Sequence, residues 1–477
     1  MKKYALCFTM LLSLAAFLPV QGAARERRIA LSEYADKVRA AWLGKMAGVG
    51  WGITTEFRYS HRLVPDSMMQ AWRPEMVNEG YNQDDLYLSL LSLELLRVYG
   101  PEITSRLACL ERQNLQFEYG GRNTLVTRDG IAPPDLGHPH YKPTSDGCGA
   151  DYSGIAAPGL PAAPVRFAAT FGSDRCYGDG LYGGVFVGAM YCEAFFTENL
   201  HCIVDAALRS IPEQSLLAQA VRDVVRWHRL YPDDWKHTWQ LIMDKYWWNE
   251  ENNWIAWPYG GVRKGINLDS KSMAAMSVMA LLYGGGDLQQ TMRIAVQGSE
   301  DSDCNASIAA GVLLASRGMK AVDGELLAAL DRRRRFKYFA RTFDDMTALT
   351  LDVARQVIPF FGGRIEERDG EEWIVVPARG ADLRHTEYLS SKTPGPLTGA
   401  RYTLDCLELL TDPGFENDDP AWSFFSDLKN NHILPVERTG RIEGVAENRA
   451  RTGFCNALLG SWFRSGYPRA NTRLFSG

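Results

Sequence analysis

The chain has 477 residues, room for two or three folded units, and 46% of them are hydrophobic, as in an ordinary globular protein. A net charge of −5 excludes the basic face of a nucleic-acid binder and the polybasic patch of a membrane anchor. The first element is a leader. Lys2 and Lys3 precede an apolar run from Tyr4 to about Val20, and Gly22, Ala23 and Ala24 follow, the layout of a secretory signal peptide over residues 1–24. No later stretch is an uninterrupted apolar span of membrane length. The mature protein is therefore expected to be exported, periplasmic or extracellular, with no transmembrane segment. The cysteines beyond the leader form no Cys-x-x-Cys pair, which argues against a zinc site or a disulfide scaffold.

From Leu31 to about Phe361 the spacing is helical almost throughout. Ser32 to Leu43 opens on a capping serine and carries apolar residues at helical spacing. It runs on through Gly44, Gly48, Gly50 and Gly52 to Glu56. The glycines fail as a dinucleotide fingerprint because they follow a helix rather than a strand. Close helix–helix packing through glycine is the simpler reading. Asn82, Gln83, Asp84 and Asp85 then precede a Leu-rich core helix over 86–98. Further helices are expected over 182–196, 215–230, 235–246, 272–283 and 325–330, with Gly/Pro-rich loops over 130–143 and 156–164. Long loops on a helical scaffold are where binding and catalysis usually sit.

After Phe361 the composition changes. Arg364 to Pro377 predicts a β-hairpin turning at Asp369-Gly370, with Trp373, Ile374, Val375 and Val376 in its second strand. A different, Pro- and Gly-punctuated unit begins at Leu409. The expected organisation is a leader over 1–24, a helical domain over 30–361, a β-rich extension over 362–408 and a last region over 409–477.

Two acid pairs carry the chemistry. Asp84 and Asp85 stand before the Leu-rich helix. Asp301 and Asp303 open a helix of small residues, Ala306, Ser307, Ala309, Ala310 and Gly311. Acids at a helix start are ordinary caps, but acids opening a buried element need a compensating partner. An EF-hand does not fit, because Ala306 and Val312 occupy the positions that need Gly and Glu. If the two helices lie side by side, the four carboxylates form one oxygen-rich site suited to Mg²⁺, Mn²⁺ or Ca²⁺. Asp151, Asp179 and Tyr182, on Gly-rich turns, either line a polyol or phosphate pocket or serve the turns themselves. His138 and His140 are candidate contacts in a proline-flanked loop. Serine-hydrolase, P-loop and His-Glu-x-x-His zinc motifs are missing from the sequence.

In order along the chain, these motifs resemble the ADP-ribosylglycohydrolase family. The resemblance covers about Ala35 to Leu314. It rests on the glycine-rich first helix ending near Glu56, Asp84-Asp85, Pro133-Pro134 with Gly137-His138-Pro139, and Asp151 with Ala157-Pro158-Gly159. Gly178-Asp179-Gly180 with Tyr182-Gly183, Leu281 to Asp287, and Asp301-Ser302-Asp303-Cys304-Asn305 complete it. It implies a mainly α fold, an all-helical domain followed by a small β-rich C-terminal region, and a two-ion Mg²⁺ site, with Mn²⁺ as the other choice. The implied metal ligands are Asp84, Asp85, Asp301 and Asp303. The implied catalytic groups are Asp85, Asp303 and Glu56, and the implied substrate contacts Asp151, Asp179, Tyr182, His138 and Asn305. The implied activity is hydrolysis of an N- or O-ribosyl glycosidic bond in a small molecule or glycan, with no nucleic acid as partner. Export points equally to another extracellular glycan or nucleoside. A non-catalytic ADP-ribose- or glycan-binding protein is the reading from a different class.

Three positions depart from the family pattern. Gln83 stands where Thr is common, Cys304 where Ser or Thr is common, and Gly48-Val49-Gly50 where many members have Gly-Asp. At the C-terminus Asp412-Pro413-Gly414-Phe415-Glu416, Trp422 and Arg451-Thr452-Gly453-Phe454 resemble the opening of a galactose-binding-type β-sandwich. The span left for it is short, so a partial sandwich or a simple β appendage is expected.

Overall fold

A computed structural model describes residues 26–105, 107–108, 111, 150–172, 176, 178–248, 269–378, 380, 382–386, 436–437 and 441–442. The expected leader, the expected 130–143 loop with His138 and His140, and the expected sandwich motifs lie outside the described residues.

The described part is mainly α, with one small sheet. Helix α1 (Leu31–Gly52) is buried on every side from Ala40 onward, so it is the axis of the domain rather than a surface helix. It starts one residue earlier than its sequence suggests, from Ala30, without a side-chain cap. Around it lie α2 (Asp84–Tyr99), α3 (Asp151–Ile155), α4 (Ala162–Phe167), α5 (Asp179–Ala194) and α6 (Leu200–Leu208). Next come α7 (Leu216–Leu230), α8 (Trp235–Ile242), α9 (Ser270–Tyr283) and α10 (Leu288–Gln297). The described helices end with α11 (Ser302–Arg317), α12 (Gly324–Ala329) and α13 (Phe343–Phe360).

Two of these elements differ from the sequence reading for visible reasons. The helix expected through Tyr246 ends at Ile242 and continues as a π-turn, Met243–Trp247, which buries Met243, Tyr246 and Trp247. The expected loop at 156–164 is a buried turn between α3 and α4. Its residues Ala156, Ala157, Leu160 and Ala163 are small or apolar enough to be covered completely or nearly so.

The closest packing joins α1 to α11, and glycine makes it possible. A Cβ added to Gly48 would stand 2.4 Å from the carbonyl carbon and oxygen of Ala306, and one on Gly52 would stand 2.2 Å from the Cα of Asp303. Real Cβ atoms do not come that close, so only glycine lets the two backbones meet. The four-residue spacing of these contacts is that of one helical ridge. The opposite sense of the numbering makes the two helices antiparallel. A second face of α1 takes the 3₁₀ segment Pro74–Asn82, where a Cβ on Gly50 would strike the carbonyl of Met76. That segment delivers the chain to Asp84.

The sheet is antiparallel in the order β1-β3-β2, with β1 Glu26–Ala30, β2 Arg364–Arg368 and β3 Glu371–Pro377. The hairpin β2–β3 is where its sequence places it. Its partner β1 was not expected, because a five-residue segment with Glu26, Arg27 and Arg28 carries no strand signal of its own. Ile29 faces Ile374 in register, and Ile374, Val375 and Val376 are all buried. The central strand is thus covered on both faces, and the hairpin belongs to the same core as α1. Among the described residues no helix is long and apolar enough to cross a membrane. Cys176, Cys192 and Cys304 are buried and unbridged, and Cys202 is an exposed free thiol.

Candidate metal centre

Several helices here are capped by side chains: Asn199, Ser215, Asp234, Asp269, Asp287 and Thr342 each accept a backbone N–H of the helix they precede. Helices α1, α2, α5 and α11 carry no such cap. Gln83 and Asp301 hold the N-cap positions of α2 and α11. Acids stand at both starts, yet capping is not their work. Both starts lie beside the C-terminal end of α1, which runs on into Glu56.

Two donor groups result, and they share one residue. Glu56, Asp301 and Asp303 each offer an oxygen, and these lie within 4.8 Å of one another. Asp85, Asp303 and Cys304 meet the same limit. Asp301, Asp303, Asp85 and Cys304 are buried, while Glu56 and Asp84 are part-exposed, so the cluster opens towards solvent on the Glu56 and Asp84 side.

Burial and neighbouring charges leave their mark on three of these carboxyls. Burial, with Asp84 and Asp85 beside it, raises the pKa of Glu56 to about 7. Burial, followed by the charge of Glu56, raises that of Asp303 to about 7, against a hydrogen bond from Asp301 and the backbone N–H of Cys304, 2.9 Å from Oδ1. Burial lifts Asp85 well above the ordinary range, opposed by Lys45 and reinforced by Asp303 and Asp84. Carboxylates crowded in this way repel one another and favour a cation among them.

Lys45 supplies part of that charge from inside the protein. It is fully buried on α1, with Nζ 2.5 Å from Asp151 Oδ2 and 3.4 Å from Asp85 Oδ1. Burial disfavours its ammonium, but Asp151 and Asp85 outweigh burial and raise its pKa. Ser307 Oγ lies 3.3 Å from Asp85 Oδ1 and Cys304 Sγ 3.5 Å from Asp85 Oδ2. Sequence reasoning missed Lys45. A lysine among alanines and glycines reads as a surface residue, and its partners lie 40 and 106 positions away.

The backbone around the cluster is locked and strained. Ser299 and Glu300 have φ of 65° and 59°, two consecutive left-handed non-glycine residues directly before Asp301, a costly arrangement. The loop after α1 holds them. Phe57 N donates to the Glu300 carbonyl at 2.9 Å, and His61 N donates to the Glu300 carboxylate. Ser302 Oγ donates to the Gly52 carbonyl, and Thr55 Oγ1 pairs with Ser302 Oγ, each at 2.9 Å.

The chain matches the ADP-ribosylglycohydrolase family model over residues 30–356. This protein belongs to the ADP-ribosylglycohydrolase family. Among solved structures, a chain described as an ADP-ribosylglycohydrolase-related protein complex is 17% identical, with a TM-score of 0.41, over 69% of this chain and 100% of that one. No curated protein matches.

In this member of the ADP-ribosylglycohydrolase family the expected metal ligands Asp84, Asp85, Asp301 and Asp303 and the expected catalytic Glu56 come together at one place. The expected substrate contacts are more dispersed. Asp151 is fully buried on Lys45. Asp179 is buried at the start of α5, where Oδ1 accepts the Leu217 N–H at 3.1 Å. Tyr182 is half-buried against the core. Asn305 is buried, with Oδ1 3.5 Å from Ser277 Oγ. His138 lies outside the described residues. The donor set of carboxylates with one thiol fits a hard divalent ion at its oxygen-only group.

Proposed function

We propose that this protein is an exported, metal-dependent hydrolase of a glycosidic bond, of N- or O-ribosyl type. One observation carries the reading: Glu56, Asp301 and Asp303 converge at the buried start of α11, in a member of the ADP-ribosylglycohydrolase family. Glu56, Asp301 and Asp303 would hold Mg²⁺ or Mn²⁺, with the charge of Asp84 beside them. When bound, such an ion supplies a Lewis-acid contact for a sugar hydroxyl and makes a nearby water more acidic.

The remaining chemistry falls to the chain itself. Glu56 is part-exposed at the rim, where the oxygen not given to the ion would take a proton from attacking water and return it to the leaving group. Asp303 and Asp301 are held by the start of α11 and by the strained turn before it, so little reorganisation is needed when substrate arrives. Asp85 is fixed from behind by Lys45, Ser307 and Cys304. The leader over residues 1–24 favours a substrate outside the cytoplasm, which puts an extracellular glycan or nucleoside beside ADP-ribosyl conjugates as the sugar donor.

The test is a panel of ribosides, ADP-ribosyl conjugates and glycans, each assayed with Mg²⁺ or Mn²⁺ and again with a chelator. Hydrolysis of at least one ribosyl compound, lost on chelation, is the expected result. Metal binding with every compound left intact would favour a binding protein, and chelator-resistant hydrolysis would exclude the metal reading.

A further inference from the structure

The two overlapping donor groups are not equivalent. Glu56, Asp301 and Asp303 are all carboxylates. In the other group, Asp85, Asp303 and Cys304, the thiol is a poor ligand for a hard ion. Asp85 is also already engaged at both oxygens. Oδ1 faces Lys45 Nζ at 3.4 Å and Ser307 Oγ at 3.3 Å, and Oδ2 faces the Cys304 thiol at 3.5 Å. Lys45 has no exposed surface, so its ammonium cannot swing into water to make way for an ion. A divalent ion on Asp85 would stand beside a fixed positive charge, and Asp151, 2.5 Å from Nζ, holds that charge in place.

We propose that this protein binds a single divalent ion, at Glu56, Asp301 and Asp303, and that the Lys45 ammonium stands against Asp85 where a second ion would otherwise be needed. The inference rests on the metal-dependent reading above and deepens it. Lys45 is then a positioning residue. It sets a positive charge against Asp85, keeps that carboxyl aimed from behind, and leaves Asp303 to serve one ion. The sequence expectation of a two-ion site is replaced by one ion and one built-in cation.

The test counts Mn²⁺ bound to the metal-free, full-length protein by equilibrium dialysis. One ion per chain is expected, and two would overturn the proposal. None would remove the metal-dependent reading itself and this inference with it. The paired variant Lys45→Met/Asp151→Asn removes one positive and one negative charge together and leaves Asp85 without its cation; it should bind two Mn²⁺. If it still binds one, Lys45 does not exclude the second ion and the proposal falls. Should that variant fail to fold, Cys304→Thr replaces the thiol with an oxygen donor while Lys45 stays. It should still bind one ion, and a gain to two would show that the thiol, not the lysine, sets the count.

Discussion

Gly52 lies so close to Asp303 that a Cβ on the glycine would stand 2.2 Å from the aspartate's Cα. The position of a carboxylate in the candidate metal centre is thus set by the lack of a side chain on a neighbouring helix. Gly52→Ala should force α1 and α11 apart, since the obstacle is backbone and cannot rotate away. Overpacking of this kind costs about 1–3 kcal/mol, and occasionally more. A lowered urea midpoint together with weaker Mn²⁺ binding is expected. A variant of unchanged metal affinity would show that the close approach does not set the site.

The pair Lys45–Asp151 should behave as one unit. Removing one partner of a buried ion pair costs about 3–5 kcal/mol, because the other charge is left without compensation. Lys45→Met and Asp151→Asn should each be strongly destabilising, and the double variant should lose much less than their sum. Denaturation of the three variants measures the coupling directly. Additive losses would mean that the two residues act independently.

Stability of the metal-free protein should fall as the pH rises. Asp303 and Glu56 have ordinary values of 3.8 and 4.5 and are raised to about 7 in the fold. Between those limits the folded protein holds protons that the unfolded chain has released, so stability declines with pH in that window and levels off above about 7. A divalent ion favours the charged forms, so its apparent affinity should climb across the same window. Urea midpoints at about pH 5 and about pH 8, with and without Mn²⁺, check both slopes. A metal-free protein whose carboxyl cluster gives the opposite slope would contradict the crowding described above.

Ser299 holds a left-handed conformation with φ 65°, and its buried Oγ has no hydrogen-bond partner. Ser299→Gly removes both penalties, and left-handed backbone alone costs about 1–2 kcal/mol per residue. The variant is expected to gain roughly 1 kcal/mol despite glycine's entropy, while its looser turn weakens the hold on Asp301. Greater stability with poorer Mn²⁺ affinity is the signature to look for.

The hairpin is part of the domain and not a tethered extension. Ile374 is fully buried opposite Ile29, so Ile374→Ala should cost about 2–5 kcal/mol. The loss should appear in the same unfolding transition as the helices. A separate early transition would mean that the sheet folds on its own.

Much of the acidic cluster was legible in the sequence, because its carboxylates sit at helix starts that periodicity marks: Asp84-Asp85 before the Leu-rich helix and Asp301-Ser302-Asp303 before the small-residue helix. The glycines of α1 were legible too, as helix packing, although nothing local says that their partners are Ala306 and Asp303. Lys45 was not legible, since burial of a lysine depends on two aspartates supplied by distant helices. Strand β1 was hidden for a similar reason. Only the pairing with β3 makes a strand of Glu26–Ala30, and a polar pentapeptide carries no such signal alone. The left-handed turn at Ser299-Glu300 runs against local preference and exists because Phe57 and His61 hold it.

The most direct test is the double substitution Asp84→Ala/Asp301→Ala, one acid from each helix start, assayed for bound Mn²⁺ and for hydrolysis of the ribosyl compound the wild-type protein cleaves. Loss of both, with the helical content unchanged by circular dichroism, is the predicted result. Hydrolysis that survives the double substitution would contradict a metal-dependent mechanism at this site.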